Sequence, residues 1–388
     1  MIQLRPYQKE ALQAVIDEHA HNVNTMACVL PCGTGKTIVM AAIAKHFNKR
    51  TLIIAHREKL IQQTKAKFKL FWPEAPVGIC QANKNDIHKK IVIGSIQTCS
   101  RPNRLAQLKD ERFEILLIDE AHHSCAPSYR KLITELGFDH DKLLVGFTAT
   151  PERQGRQQLG DIFEKIVFMR SIATMIDFGY LCPVVGRKIL TTTSLDGIRT
   201  KMGDFEQSQL ADRVATYERN NFIAQKYLQH AKNRKGIAFC ANVRHAKSLA
   251  DCLCKHGVKA AAIWGAMPHD DRKKILKDLA KGKLQVVTPV GVLTEGFDET
   301  SLEVVLMCTP TKSPVKYIQC IGRVLRLHPG KTSTLVLDYT DTGHNLDAVM
   351  DNCIEDFYRC IDFCIFLEMG RSPSLKLHHH SKDHGFQS

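Results

Sequence analysis

Three groups of residues in this chain have the types and spacing for phosphoryl chemistry. The first is Pro31-Cys32-Gly33-Thr34-Gly35-Lys36-Thr37. Its two glycines let the backbone turn tightly and aim N–H groups inward at phosphate oxygens. Lys36 has the reach for β- and γ-phosphates, and the Thr37 hydroxyl suits Mg2+. The strict form of such a loop has glycine where this chain has Leu30, and taken alone the segment also fits an ordinary turn. The second group is Asp119-Glu120, directly after the apolar run Ile115-Leu116-Leu117-Ile118. Adjacent acids at a buried strand end are costly unless a cation or hydrogen bonds compensate them. Asp119 is fit to orient Mg2+ and its waters, and Glu120 to polarise an attacking water as general base. The third group is Arg323 and Arg326. Three apart on a helix, they share a face, so both can act on charge developing at a transferring phosphoryl group. A solvated basic face is the competing reading.

These groups need elements to hold them. Apolar runs at 26–30 and 38–44 bracket the glycine loop, which predicts strand, loop, then helix, with the positive end of the helix dipole at the phosphates. Further buried strands are predicted at 51–55, 91–98, 115–118 and 143–147, each with polar residues at its carboxyl end. That end is the ligand-binding edge of a parallel α/β sheet. Gln8 begins a helix predicted from Tyr7 to Glu18 and has the amide chemistry to read an adenine edge, although a solvated helix-start residue fits as well. Arg57 can hold a phosphate of bound nucleic acid, and Ser95, Gln97 and Thr98 can hydrogen-bond a sugar-phosphate backbone. Each of these also fits a simple strand-end turn. His122 is expected to couple nucleotide state to the rest of the molecule. Its neighbour His123 does not share a helical face with it, as a zinc-binding i, i+4 pair would. Thr148-Ala149-Thr150 suits a relay of the same state.

A second α/β series follows, with strands predicted at 236–240, 260–264, 284–288, 303–307 and 333–337. It has no Gly-Lys-Thr loop, so it is expected to complete a site rather than own one. Its chemistry lies in Val292-Leu293-Thr294-Glu295-Gly296-Phe297-Asp298 and in Gln319 to Arg326. The expected organisation is a nucleotide-binding α/β domain over 1–185, a polar linker over 186–205, a second α/β domain over 206–342, and a C-terminal helix with a histidine-rich tail over 343–388. The net charge of +14 favours a polyanionic partner. The 14 cysteines show no Cys-x-x-Cys and no disulfide framework, which reads as a reducing, intracellular setting. No stretch approaches the roughly 20 apolar residues of a membrane span, and the Met1 region, Ile2 to Gln8, has no apolar core of signal-peptide length.

The ordered set carries more than any member. Arg5-Pro6-Tyr7-Gln8, the glycine loop, Ala55-His56-Arg57, Ile118 to His122, Thr148-Ala149-Thr150, Thr294 to Asp298 and Gln319 to Arg326 together resemble a superfamily 2 helicase with a DEAH-type box. The wording of Ile54-Ala55-His56-Arg57 and Val292 to Asp298 is similar to RadD-like DNA helicases and the type I restriction motor. This resemblance covers about residues 2–340 and implies an α/β fold: two tandem RecA-like, doubly wound parallel-sheet domains clasping ATP and Mg2+. It implies that Gln8 reads adenine and that Pro31 to Thr37 hold the phosphates. Thr37 and Asp119 would serve Mg2+, with Glu120 as base. Gly296, Asp298, Arg323 and Arg326 would approach the nucleotide from the second domain. Arg57, Gln97, Thr98, Thr288 and Thr294 would contact the nucleic-acid backbone, and His122, Thr148, Thr150 and Gln319 would couple the two activities. The expected function is an ATP-dependent DNA helicase or translocase in repair, recombination or replication, cytoplasmic, nucleoid-associated or phage-encoded. The alternatives are an RNA helicase and a clamp or remodeller that separates no strands. The tail after Asp341 lacks the paired-cysteine zinc module of many RadD-like proteins.

Overall fold

The computed structural model describes residues 2–55, 58–150, 159–201, 203–291 and 299–340, with the backbone alone at 58–60. Two sheets organise it. The first contains β1 (Thr25–Val29), β2 (Thr51–Ala55), β3 (Val77–Gln81), β4 (Lys84–Asn85), β5 (Ile91–Ser95), β6 (Ile115–Asp119), β7 (Leu143–Thr148) and β8 (Lys165–Met169). Their spatial order is β4-β3-β5-β2-β6-β7-β1-β8, parallel throughout except that the short β4 runs antiparallel to β3. Strands buried on both faces read as unbroken apolar runs, which is why β2 and β6 stand out in the sequence. Its helices are α1 (Pro6–Ala20), α2 (Lys36–Phe47), α3 (Glu58–Phe71), α4 (Ile96–Cys99), α5 (Pro102–Asp110), α6 (Pro127–Glu135) and α7 (Ile172–Asp177).

The second sheet begins earlier than expected. β9 (Val184–Lys188) pairs in parallel with β16 (Thr334–Asp338), so the span expected as a linker from residue 186 starts inside a strand. β9 is the outer edge of this sheet and exposes most of its side chains, including half of Val185. An edge strand presents polar residues to water and so imitates a linker in composition. The rest of the presumed linker contains a two-stranded hairpin, β10 (Thr200–Lys201) with β11 (Asp204–Phe205). The remaining strands are β12 (Gly236–Phe239), β13 (Ala260–Trp264), β14 (Val286–Val290) and β15 (Val304–Met307), in the order β13-β14-β12-β15-β16-β9, all parallel. The helices here are α8 (Gln207–Val214), α9 (Tyr217–Ala231), α10 (Val243–Lys255), α11 (His269–Ala280) and α12 (Pro314–Gly322).

The two sheets share one apolar cluster. Leu181, Tyr317, Ile321, Val324 and Leu325 join the core built on Met26, Ile53 and Val145. The Cys182 N–H donates to the Leu325 carbonyl at 2.7 Å, so the crossover segment pairs with the chain that follows α12. Arg57, Thr294, Gly296, Asp298 and the expected C-terminal helix lie outside the described residues. No described helix is long and apolar enough to cross a membrane.

Candidate active site

The glycine loop connects β1 to α2 as the sequence implies. Gly33 and Gly35 take φ of 86° and 83°, a region that other residues enter at a cost. α2 starts at Lys36 with Gly35 as its N-cap and no side chain capping it. The loop is held from both sides. Lys36 Nζ donates to the Leu30 carbonyl at 3.3 Å, and the Thr34 hydroxyl donates to the Pro31 carbonyl at 2.7 Å. From α1, Gln8 Nε2 donates to the Thr34 carbonyl at 3.0 Å, and the Tyr7 hydroxyl donates to the same oxygen. Gln8 Oε1 accepts the Arg5 N–H at 3.0 Å, so its amide ties the start of α1 to the loop. A Cβ on Gly35 would lie 2.8 Å from Gln8 Nε2, which shows how closely α1 approaches.

Asp119 ends β6, and Glu120 follows in a left-handed conformation, φ 52° and ψ 54°. That backbone, costing of order 1–3 kcal/mol for a non-glycine residue, sets the buried Glu120 carboxylate beside His122. Burial and the Glu120 charge push the Asp119 carboxyl up to about 6, and Lys36 opposes them. Burial works against the charge of Lys36, but Cys32, Glu120 and Asp119 outweigh it and raise its pKa. The two carboxylates therefore repel each other, and Lys36 stabilises both in a nearly dry setting.

The coupling residues form a connected path. His122 Nδ1 lies 3.4 Å from Glu120 Oε2 and 3.2 Å from Thr148 Oγ1. The Thr148 hydroxyl donates to the Thr150 carbonyl at 2.8 Å, so its oxygen is left to accept. This places the proton on His122 Nδ1 and the lone pair on Nε2. His122 Nε2 lies 3.5 Å from Gln319 Nε2, which therefore donates to it from α12 of the second domain. All five residues are buried.

α12 brings the second domain onto the loop. A Cβ on Gly322, its last residue, would stand 2.8 Å from Cys32 Cβ. Arg323 follows directly, and the aliphatic part of Arg326 lies on Gly33, where a Cβ would meet Arg326 Cγ at 2.6 Å. Burial lowers the Arg326 pKa. Lys67 of α3 shares this electrostatic field: burial lowers its pKa first, then the charge of Arg326, with Asp119 opposing. Nothing in sequence distinguished Lys67 from other lysines on an amphipathic helix. Tyr7 and Gly322 were also missed, although each adjoins a residue that was singled out.

Two expected nucleic-acid contacts point inward. The Thr98 hydroxyl accepts from the Ser95 hydroxyl at 2.9 Å and from the Ala82 N–H at 3.1 Å, and the residue is buried. Thr288 Oγ1 donates to the Ala246 carbonyl at 2.8 Å and is fully buried. Thr98 therefore ties the ends of β3 and β5 together and Thr288 ties β14 to α10, whereas Gln97 is exposed. Among the described residues there is no cluster of three or more metal-ligating side chains of the His, Cys, Asp and Glu set.

The fold and this site define a class. Residues 1–153 match the family model of the type III restriction enzyme res subunit, and residues 218–328 match the helicase conserved C-terminal domain. Side by side along one chain, these two matches are those of a superfamily 2 helicase. Among individual proteins it is 29% identical over 364 residues to the yeast protein named "Putative ATP-dependent helicase IRC3" of Saccharomyces cerevisiae, covering 87% of this chain and 51% of that one. It is 25% identical over 354 residues to the ATP-dependent DNA helicase uvsW of Enterobacteria phage T4, covering 87% and 68%. A solved fragment described as a "putative HsdR subunit of a type I restriction enzyme" from Vibrio vulnificus superimposes with a TM-score of 0.68 at 20% identity, over 87% of this chain and 64% of that one. The chain spans about half of the Saccharomyces cerevisiae relative and 59% of one from Schizosaccharomyces pombe.

Proposed function

We propose that this chain hydrolyses ATP in the cleft between its two sheets and uses the cycle to translocate on DNA or unwind it. The observation that supports this most is the path from Glu120 through His122 to Gln319, which links the expected base in one domain to α12 of the other, the helix that ends just before Arg323. In this reading the N–H groups of the glycine loop and Lys36 hold the phosphates. Glu120 takes the proton of the attacking water. Arg323 and Arg326 bear on the charge that develops at the γ-phosphoryl group. The all-oxygen donor pair of Thr37 and Asp119, beside Lys36, fits Mg2+, which when bound neutralises phosphate charge. Gln8 and Tyr7 set the loop from behind. Movement follows if closure of the cleft alters the spacing of two nucleic-acid contacts, to which Arg57, Gln97 and Thr294 are assigned. DNA is preferred over RNA because the phage relative is named a DNA helicase, and the net charge of +14 suits a polyanion. A role in repair, recombination or replication goes with that preference.

The test is steady-state ATP hydrolysis without nucleic acid and with single-stranded DNA, duplex DNA, forked DNA or RNA. Stimulation by DNA, lost in Glu120→Gln while nucleotide binding is kept, is the expected result. Stimulation by RNA alone moves the assignment to an RNA helicase, and hydrolysis that ignores every polymer contradicts the proposal.

A further inference from the structure

The β10–β11 hairpin lies far from the nucleotide loop in sequence and belongs to none of the motifs. It is nevertheless tied to the start of α12. Asp204 Oδ2 accepts from the Thr311 hydroxyl at 2.9 Å and from Lys316 Nζ at 3.2 Å, and Oδ1 accepts the Lys312 N–H at 2.8 Å. Lys312 Nζ donates back to Thr200 Oγ1 at 2.8 Å. The Thr311 oxygen also accepts the Ser313 N–H at 3.1 Å, and Ser313 is the N-cap of α12. Burial works against the Asp204 charge, but Lys316 and the Lys312 N–H overcome it and hold the carboxyl below its usual range. A small apolar cluster of Phe205, Leu210, Ala211, Val214 and Ala241 fixes the hairpin and α8 to the second domain. Thr200, Lys201 and Gly203 face solvent.

Lys316, Gln319 and Arg323 recur at spacings of three and four, so they lie along one side of α12 and its continuation. A carboxylate that fixes Lys316 and the N-cap therefore fixes the axial position and rotation of the helix that carries Gln319. We propose that Asp204 is a positioning residue, which clamps the β10–β11 hairpin to the first turn of α12 and so sets Gln319 against His122, and Arg323 and Arg326 against the glycine loop. The inference rests on the reading of that cleft as the ATP-hydrolysing site.

The test uses the full chain with Asp204→Ala, Asp204→Asn, Lys316→Ala and the Asp204→Ala/Lys316→Ala double variant. Melting temperature and nucleotide-binding stoichiometry define the folded, binding-competent fraction, and kcat is expressed per competent site. Asp204→Ala is expected to lower kcat about tenfold while KM for ATP stays within about twofold, the pattern of a contact that matters in the transition state. Asp204→Asn, which keeps the acceptor for Lys312 N–H, should fall between. Lys316→Ala should add little on top of Asp204→Ala, because both break one link. A kcat per competent site equal to wild type, or additive losses, overturns the proposal. Amide exchange supplies a readout free of activity. Protection over residues 315–322 should drop at least about tenfold in Asp204→Ala while β12 and β14 keep theirs. Unchanged protection there overturns the inference. A wild-type chain that hydrolyses no ATP defeats the proposed function instead, and the exchange experiment still decides the clamp.

Discussion

Replacing Gly322 with alanine adds one methyl group where the two domains meet. Its Cβ would stand 2.8 Å from Cys32 Cβ and 3.5 Å from Cys32 Sγ. Carbon atoms rest at about 3.5–4.0 Å, so the end of α12 and the glycine loop must separate by roughly 0.7–1.2 Å. Overpacking of this kind costs about 1–3 kcal/mol. Arg323 is the next residue and Arg326 lies on Gly33, so the displacement falls on the arginines assigned to the phosphoryl group. A misplacement of about 1 Å in a positioned group costs on the order of 10²-fold in rate. The helix itself does not suffer, since alanine in place of glycine favours it by up to about 1 kcal/mol. That gain offsets only part of the overpacking cost, so Gly322→Ala should melt at or a few degrees below wild type and lose roughly 10- to 100-fold in DNA-stimulated kcat, far more than the folded fraction accounts for. The steric cause is testable in the same assay. The nearest contact is to Cβ rather than to sulfur, so adding Cys32→Gly should restore much of the rate and adding Cys32→Ala should not. A Gly322→Ala chain with wild-type kcat refutes the reasoning, and equal rescue by Cys32→Ala refutes the contact assigned to it.

Two further outcomes follow from the same geometry. Gln319→Ala removes the donor to His122 Nε2, and a hydrogen bond of this kind is worth about 0.5–1.5 kcal/mol. The DNA-stimulated rate should fall roughly three- to tenfold while the rate without DNA changes less; equal loss in both would show that the bridge does not couple them. His245 is fully buried, with the Ala241 N–H on its Nδ1 at 3.3 Å, and burial, then Arg219 and Arg244, lower its pKa to about 3. The fold thus favours the neutral ring, so this stability is complete above the unfolded pKa of about 6.5 and is lost as pH falls from there toward 3. At pH 5 the loss amounts to about 2 kcal/mol. The wild-type melting temperature should drop more between pH 7.5 and pH 5 than that of His245→Gln, and parallel pH profiles would exclude His245 as the cause.

Much of the site was legible because its residues lie beside strands that advertise themselves. Burial on both faces makes β2, β6 and β7 continuous apolar runs, so the polar residues just past them, Asp119-Glu120 and Thr148, are marked by contrast. The glycine loop is legible for a similar reason, since the chain reverses there between two apolar segments. Small hydroxyl residues were not. In sequence Thr98 and Thr288 read as strand-end residues like Thr148, but Thr98 falls in α4 and Thr288 inside β14, and where a hydroxyl turns depends on partners such as Ala82 and Ala246 that local sequence does not name. The carboxyl half of β9, from Gly186, reads as the start of a linker because an edge strand is paired on one side only and tolerates Arg187 and Lys188. The clamp at Asp204 joins residues 107 positions apart, and an aspartate in a polar stretch carries no mark of it. The left-handed Glu120 is equally silent in sequence, because the strain is imposed by the surroundings rather than chosen by the residue.

The central claim is movement driven by ATP, and displacement of streptavidin from biotinylated single-stranded DNA tests it directly. The oligonucleotide carries biotin at its 3′ end in one arm and at its 5′ end in the other, with free biotin present as a trap. ATP-dependent displacement that is faster at one end than at the other, and none in Glu120→Gln, is the expected result. Hydrolysis stimulated by DNA with no displacement from either end would contradict it, and would make the chain a nucleic-acid clamp or remodeller.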